Sequence, residues 1–135
     1  RVAHFHREIR SHYGSTGPLR VLDMGCGGGL VANALAQLPG YSGIEGVDLA
    51  DGALAFAAAT ASAAAAGENG SALPPVRFQK ASVYEVPFDA GSFDVVVMSD
   101  VLEHLSDLRR VAAEVRRVLK PGGLFVFDTL SRTPM

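Results

Sequence analysis

The feature that most constrains this chain is a glycine-rich run between an apolar segment and a helix-like segment. The run, DMGCGGG, occupies residues 23–29; apolar residues dominate positions 19–22, and a helical pattern covers residues 30–38. This order predicts a strand, a tight turn and a helix. Glycine at positions 25, 27 and 29 allows positive φ angles and the close approach of a ligand, and the start of the helix offers unpaired N–H groups.

An acidic residue ends the second predicted strand. Residues 43–47 form a strand-like run, and Asp48 follows it directly. A carboxylate at this position of a doubly wound sheet can accept hydrogen bonds from both hydroxyls of a ribose. Together with the glycine turn, Asp48 predicts that the chain binds a cofactor containing a nucleoside.

Strands and helices alternate along the remaining sequence. Further strands are predicted at residues 76–78, 93–98 and 124–129, and further helices at residues 1–12, 51–66 and 106–119, the last ended by KPGG at 120–123. The unbroken apolar run FDVVVM at 93–98 is typical of a parallel strand buried on both faces. The alternation predicts an α/β fold with a doubly wound parallel sheet and a ligand at the carboxyl ends of its strands.

The last predicted helix has a cap and an apolar face. Ser106 and Asp107 are residue types that cap helix N-termini. The side chains expected on the apolar face are Leu108, Val111, Val115, Val118 and Leu119.

Length, charge and cysteine content narrow the possible partners. The length of 135 residues predicts a single domain, residues 1–135, that is only part of a cofactor-dependent enzyme. The net charge is −2. Without a basic patch, a small molecule is a better partner than nucleic acid. One cysteine, Cys26, argues against a disulfide framework and a cysteine-based metal site. No segment approaches the ~20 apolar residues that a membrane span needs.

The glycine motif alone leaves two cofactor classes open. Counted from Gly27, the motif is GxGxxA, which a nicotinamide dinucleotide domain tolerates. Asp23, two residues before Gly25, separates the two classes. Its carboxylate would repel a pyrophosphate but attract the ammonium of an amino acid, and S-adenosylmethionine carries such an ammonium. Asp23 therefore favours S-adenosylmethionine.

Five motifs in order resemble the class I S-adenosylmethionine-dependent methyltransferases. They are DMGCGGG at 23–29, VDL at 47–49, VPFDAGSFDVV at 86–96, LEHL at 102–105 and LKPGG at 119–123. Within that superfamily the chain is most similar to the ubiquinone-biosynthesis O-methyltransferases, through GCGGG and the TLSR run at 129–132. The resemblance implies a Rossmann-like sheet, here of five parallel strands, with the last two strands of the family missing.

The resemblance also implies the cofactor-binding residues. The methionyl end would lie against Asp23, Gly25, Cys26, Gly27 and Gly29; the ribose against Asp48, beside Leu49; the adenine against Ser82 and Val83; and Ser99 would lie near the cofactor. Many relatives have an aspartate in place of Ser82. A hydroxyl lacks the charge assistance of a carboxylate, so adenine selectivity is expected to depend on backbone groups as well.

Methylation of a phenol requires a base or a cation. A phenol of pKa near ~10 loses its proton to a histidine of pKa ~6.5 at a cost of roughly 5 kcal/mol, unless a divalent cation stabilises the phenolate. Asp100, Glu103 and His104 follow the fourth predicted strand at helical spacing and are the candidate Mg²⁺ ligands. The resembled family has Glu-x-x-Glu-His here, so Asp100 is a departure. Alternatively, the acids favour a helix start and His104 packs in the loop; without a metal, His104 is the candidate general base.

The leading hypothesis is O-methylation of a small phenol or catechol, such as a polyprenyl ubiquinone precursor. Three alternatives stay open: a methyltransferase for another metabolite, a nicotinamide-dependent oxidoreductase, and a cofactor-binding module without catalysis. With a quinone precursor as acceptor, the resemblance implies peripheral membrane contact in a bacterial cytoplasm or a mitochondrial matrix. An unpaired fifth strand would be an exposed edge that a partner chain could cover.

Overall fold

The predicted α/β fold is confirmed by a computed structural model, which describes residues 1–128. The strands are β1 (Leu19–Met24), β2 (Tyr41–Asp48), β3 (Val76–Lys80), β4 (Phe93–Ser99) and β5 (Leu119–Asp128). The helices are α1 (Val2–Tyr13), α2 (Leu30–Ala36), α3 (Asp51–Ala65) and α4 (Leu108–Val118), with 3₁₀ turns at Gly70–Ala72 and Leu102–His104. Within the described residues no helix is long and apolar enough to cross a membrane.

The sheet has the strand order β3-β2-β1-β4-β5, and every neighbouring pair is parallel. The chain runs outward from β1 to β3 and then returns to place β4 on the other side of β1. This reversal creates a switch point between β1 and β4, where the loops that follow the two strands diverge. A ligand site is expected at the carboxyl ends of these strands, where the glycine turn lies.

Two apolar clusters bury the two faces of the sheet. On one face, Phe5 and Ile9 of α1 and Leu35 of α2 pack over β1, β2 and β4. On the other face, Val111 and Val115 of α4 pack against the methionines and valines of the same strands. Each such side chain contributes about 1.5–3 kcal/mol when fully buried. The fully buried run in β4 confirms the prediction from FDVVVM, because its residues alternate between the two clusters.

The structure corrects the predicted boundaries of α4. Asp107 caps the helix as predicted, with its carboxylate accepting from the N–H of Arg110 at 3.1 Å. Leu108, however, is 55 % exposed, while Glu114 is buried. The KPGG segment ends the helix but also belongs to β5: pairing with β4 jumps from Phe93–Leu119 to Val95–Leu124, so residues 120–123 bulge from the ladder. The TLSR run at 129–132 lies outside the described residues.

Candidate cofactor site

The glycine turn between β1 and α2 has the predicted backbone conformation. Gly25, Gly27 and Gly29 have φ angles of 78°, 52° and 80°. A Cβ on Gly29 would lie 2.6 Å from the Cβ of Ala57 in α3, so that glycine allows two helices to approach. A Cβ on Gly27 would meet nothing within 4 Å, so this part of the turn faces open space. The turn therefore combines one packing glycine with one that leaves room for a ligand.

Asp48, at the end of β2, is held in place by the backbone around it. Its Oδ2 accepts from the N–H of Gly27 at 2.8 Å, and its Oδ1 accepts from the N–H of Ala50 at 2.9 Å. Each carboxylate oxygen has a second lone pair. The carboxylate is therefore oriented against the glycine turn and can still accept hydrogen bonds from a ribose.

Asp23 lies beneath the turn and is 2 % exposed. Burial, and then repulsion from Asp48, raises the pKa of its carboxyl group from 3.8 to about 7, against a smaller lowering by the backbone N–H of Ala32. An ammonium placed nearby would favour the charged form and lower this pKa. Contact between Asp23 and the methionyl end of a cofactor stays a prediction.

A cavity of about 200 Å³ opens where the loops after β1, β2, β3 and β4 meet. It is lined by Gly25, Asp48, Leu49, Ala81, Ser82, Val83, Tyr84, Val101 and Leu105. The structure thus brings together five of the residues predicted to bind the cofactor. Sites for small molecules usually measure about 300–1,000 Å³, so this cavity suits part of a nucleoside cofactor rather than all of it.

Four lining residues were not predicted from the sequence: Ala81, Tyr84, Val101 and Leu105. Val101 and Leu105 are apolar residues in a loop that follows a buried strand, and this position in the sequence could have predicted that they line a ligand site. Tyr84 had a weaker signal, since it follows Ser82 in a short turn. Its N–H donates to the Ser82 Oγ at 3.1 Å, so that hydroxyl already accepts one hydrogen bond.

The other predicted cofactor residues do not line the cavity; they are Asp23, Cys26, Gly27, Gly29 and Ser99. Cys26 is buried, and burial with repulsion from Asp23 and Asp48 raises the pKa of its thiol to about 12. It therefore serves as a small neutral side chain. Ser99 ends β4, and its buried Oγ has no hydrogen-bond partner among the described residues. An unpaired buried hydroxyl is costly, so Ser99 is a candidate for bonding a ligand group.

The three predicted metal ligands do not converge. Asp100 has a φ of 55° and forms a salt bridge with Arg1. Glu103 and His104 lie on the following 3₁₀ turn, with 3.8 Å between His104 Nε2 and Glu103 Oε1. No three His, Cys, Asp or Glu side chains within residues 1–128 are grouped to hold a metal ion. The expected helical turn from 100 to 104 is wrong because the backbone turns left-handed at Asp100, so this arrangement does not fit Mg²⁺.

Comparison with known families agrees with this geometry. A sequence model of a protein family, described as a methyltransferase domain, matches residues 22–127. This range includes the glycine turn, Asp48 and the loops that line the cavity. The chain belongs to this methyltransferase family. Its sheet is the Rossmann-like sheet of class I methyltransferases, as predicted.

Several known proteins resemble the chain over most of its length. A ubiquinone biosynthesis O-methyltransferase from Albidiferax ferrireducens is 38% identical over 85% of this chain and 42% of its own length. The YcgJ protein of Bacillus subtilis superposes with a TM-score of 0.75 at 30% identity, over 93% of this chain and 50% of that one. An S-adenosylmethionine-dependent methyltransferase from Mesorhizobium loti gives 0.70 at 30% identity, over 91% and 52%. The chain spans about half the length of the curated relatives it matches.

Proposed function

We propose that this chain holds S-adenosylmethionine for a methyltransferase that acts on an oxygen of a small phenol or catechol, such as a polyprenyl precursor of ubiquinone. The observation that carries the proposal is the cavity at the carboxyl edge of the sheet, where five predicted cofactor residues meet. The acceptor class is supported by relatives named ubiquinone biosynthesis O-methyltransferase, at 30% to 38% identity.

The residues around the cavity fit the adenosine part of the cofactor. Asp48 accepts the ribose hydroxyls with the lone pairs that Gly27 and Ala50 leave free. Leu49, which is 62 % exposed, supplies an apolar wall against which adenine can pack. Ser82 already accepts from the N–H of Tyr84, so its proton is available to a ring nitrogen of adenine.

The chemistry needs alignment more than a covalent catalyst. When bound, S-adenosylmethionine would supply a methyl group on a sulfonium, which an acceptor oxygen would take by in-line displacement as the carbon–sulfur bond breaks and S-adenosylhomocysteine is left. The chain contributes the open space over Gly27 and the apolar side chains Val101 and Leu105, which restrict water at the cavity.

We propose His104 as the general base that takes the phenol proton. Its imidazole is exposed after β4, with its Nε2 3.8 Å from the Glu103 Oε1, so solvent can reach the nitrogen that takes the proton. No step is assigned to a metal, because Asp100 faces Arg1 rather than this pair. In a chain as long as its relatives, addition of EDTA is therefore expected to leave transfer unchanged.

A polyprenyl acceptor would itself partition into a bilayer. Peripheral membrane contact, in a bacterial cytoplasm or a mitochondrial matrix, is therefore part of the same proposal. A partner chain or further chain segment along the β5 edge is part of it as well, since β5 pairs with β4 on one side only within the described residues.

The proposal is tested by calorimetric titration of S-adenosylhomocysteine and, separately, of NADH. We expect binding of the former alone, and at least tenfold weaker binding in Asp48→Asn, which halves the acceptor capacity of that side chain. The matched control is Asp51→Asn, an exposed acid paired with Lys80 that does not line the cavity. Binding of NADH alone would identify a nicotinamide domain instead. Cofactor binding without transfer to any phenol, catechol or other metabolite, in a chain as long as its relatives, would indicate a binding module.

A further inference from the structure

Tyr84 joins the two loops that face each other across the cofactor cavity. Its phenol oxygen accepts from the N–H groups of Ser106 and Asp107, each at 3.2 Å, and lies 3.4 Å from the Ser106 Oγ. Because both lone pairs of the phenol oxygen are used, its proton is the one available to Ser106. The hydroxyl therefore bonds three groups at the start of α4.

The other contacts of Tyr84 lie on the cavity itself. The residue lines the cavity beside Val101 and Leu105, and its N–H fixes the Ser82 hydroxyl at the adenine position. Its ring packs with the apolar cluster under α4, and the guanidinium of Arg110 lies 5.0 Å from the ring centre. One side chain thus touches the turn after β3, the cavity wall and the cap of α4.

These hydrogen bonds matter because residues 101–107 include Val101 and Leu105, which line the cavity, and the proposed base His104. Val101 approaches the turn so closely that a Cβ on Gly25 would lie 2.7 Å from its Cγ2. Glu103 and His104 are on the 3₁₀ turn that follows. A shift of the anchor at Ser106 and Asp107 would move this whole segment relative to the cavity.

We infer that Tyr84 is a positioning residue that couples occupancy of the cofactor cavity to the arrangement of residues 101–107. The inference rests on the proposed function, since it assigns S-adenosylmethionine to that cavity. Bound adenosine presses on Ser82 and on the wall that Tyr84 forms. The phenol oxygen transmits this constraint to the backbone of Ser106 and Asp107, and so orders the segment that carries His104.

The test compares Tyr84→Phe with the unaltered chain. The variant keeps the ring and its packing and removes only the oxygen. Two quantities are measured with S-adenosylhomocysteine: its Kd by calorimetry, and the hydrogen exchange of amides 101–107 with and without it. We expect the ligand to slow exchange at these amides in the unaltered chain. In the variant we expect a Kd roughly 3- to 10-fold higher and no ligand-dependent slowing.

The matched control is Tyr13→Phe, which removes a phenol oxygen that donates to the Asp94 carbonyl at 2.7 Å and does not line the cavity. It is expected to behave like the unaltered chain. Unchanged Kd and slowing in Tyr84→Phe would overturn the inference, as would loss of exchange protection in β1 and β4, which would make the role of Tyr84 purely structural. Binding without slowing in the unaltered chain would overturn the inference and leave the proposed function standing. Absence of binding there would overturn both.

Discussion

At the scale of single residues, the burial of Asp23 needs explaining. A carboxylate that is 2 % exposed costs free energy unless it is neutralised or paired, and it has Asp48 as a negative neighbour. The free chain responds by raising the pKa of Asp23 to about 7. The residue is therefore poorly placed for stability, and a positively charged ligand group would relieve this cost.

This predicts a defined pH dependence of stability. Between pH 3.8 and about 7, the folded chain keeps a proton on Asp23 that the unfolded chain has lost. The free energy of unfolding therefore falls as pH rises through this range and is independent of Asp23 above it. We compare Asp23→Asn with the unaltered chain by urea denaturation. The difference between their free energies of unfolding should grow in favour of the variant from about pH 4 to about pH 7 and then level off.

Asp51→Asn is the control for this series, because Asp51 is an exposed acid paired with Lys80. It should show no comparable growth with pH. A difference between Asp23→Asn and the unaltered chain that stays constant from pH 4 to pH 8 would contradict the raised pKa.

Some residues of the site can be predicted from the sequence, and others cannot. The positive φ angles of the glycine turn and the place of Asp48 follow from local rules, because a tight turn and a strand end each restrict the residue types. Tyr84 could not be found in this way. Its role depends on the start of α4, which is distant in sequence and comes near only through the fold.

At the scale of elements, the glycine turn separates packing from binding. A side chain on Gly29 would meet Ala57, whereas one on Gly27 would meet only open space. Both residues have positive φ, so an alanine at either position costs about 1–2 kcal/mol from backbone strain. Gly29→Ala should lower the free energy of unfolding by about 1–3 kcal/mol more, since α2 and α3 must move apart.

The two variants should therefore differ in whether they mainly lower stability or mainly lower affinity for the ligand. In urea denaturation Gly29→Ala should be the less stable, and in calorimetry Gly27→Ala should show the greater loss of affinity for S-adenosylhomocysteine relative to its stability. Equal effects of the two variants on both quantities would refute this division of roles.

Helix α4 is fixed to the loop before β4 by a charged pair. Glu114, which is buried, accepts from the N–H of Val86 at 2.6 Å and from Arg117 at 2.7 Å. Arg117 in turn donates to the carbonyls of Val86 and Phe88 at 3.0 Å and 2.7 Å. Because this contact between helix and loop is made by charged side chains and backbone groups, apolar periodicity alone did not predict it.

Arg117→Gln should lower the free energy of unfolding by about 1–3 kcal/mol at pH 7, because it leaves a buried carboxylate short of donors. Hydrogen bonding from Arg117 lowers the pKa of Glu114 below 4.5. The contribution is therefore present above that pH and is lost as pH falls through the folded pKa. Arg116→Gln, at the neighbouring exposed position, should stay within about 0.5 kcal/mol of the unaltered chain. A similar loss in both variants would contradict a specific role for the pair.

At the scale of the whole molecule, the strand order follows from connection rules. Parallel strands joined by right-handed crossovers, together with a glycine turn after β1, leave few arrangements other than β3-β2-β1-β4-β5. The bulge at residues 120–123 could not be predicted in this way. A KPGG segment stops a helix by its own chemistry, but its pairing with β4 depends on where the neighbouring strand happens to end.

The chain covers about half the length of its curated relatives, and this sets an expectation for activity. We predict that purified residues 1–135 bind S-adenosylhomocysteine but do not transfer methyl groups. At about 200 Å³ the cavity is too small to hold both a nucleoside cofactor and an acceptor. Incubation with tritiated S-adenosylmethionine and a catechol measures this. Robust labelling of the catechol would show that the acceptor site is already complete.

We propose that adenosine binds in the small cavity at the carboxyl edge, and not in the larger one of about 590 Å³ between α2, α3 and β3. Amide chemical shifts measured during titration with S-adenosylhomocysteine test this most directly. We expect the largest shifts at residues 25–29, 48–49 and 81–84. Shifts centred instead on Ala61, Leu73 and Arg77, which line the larger cavity, would contradict it.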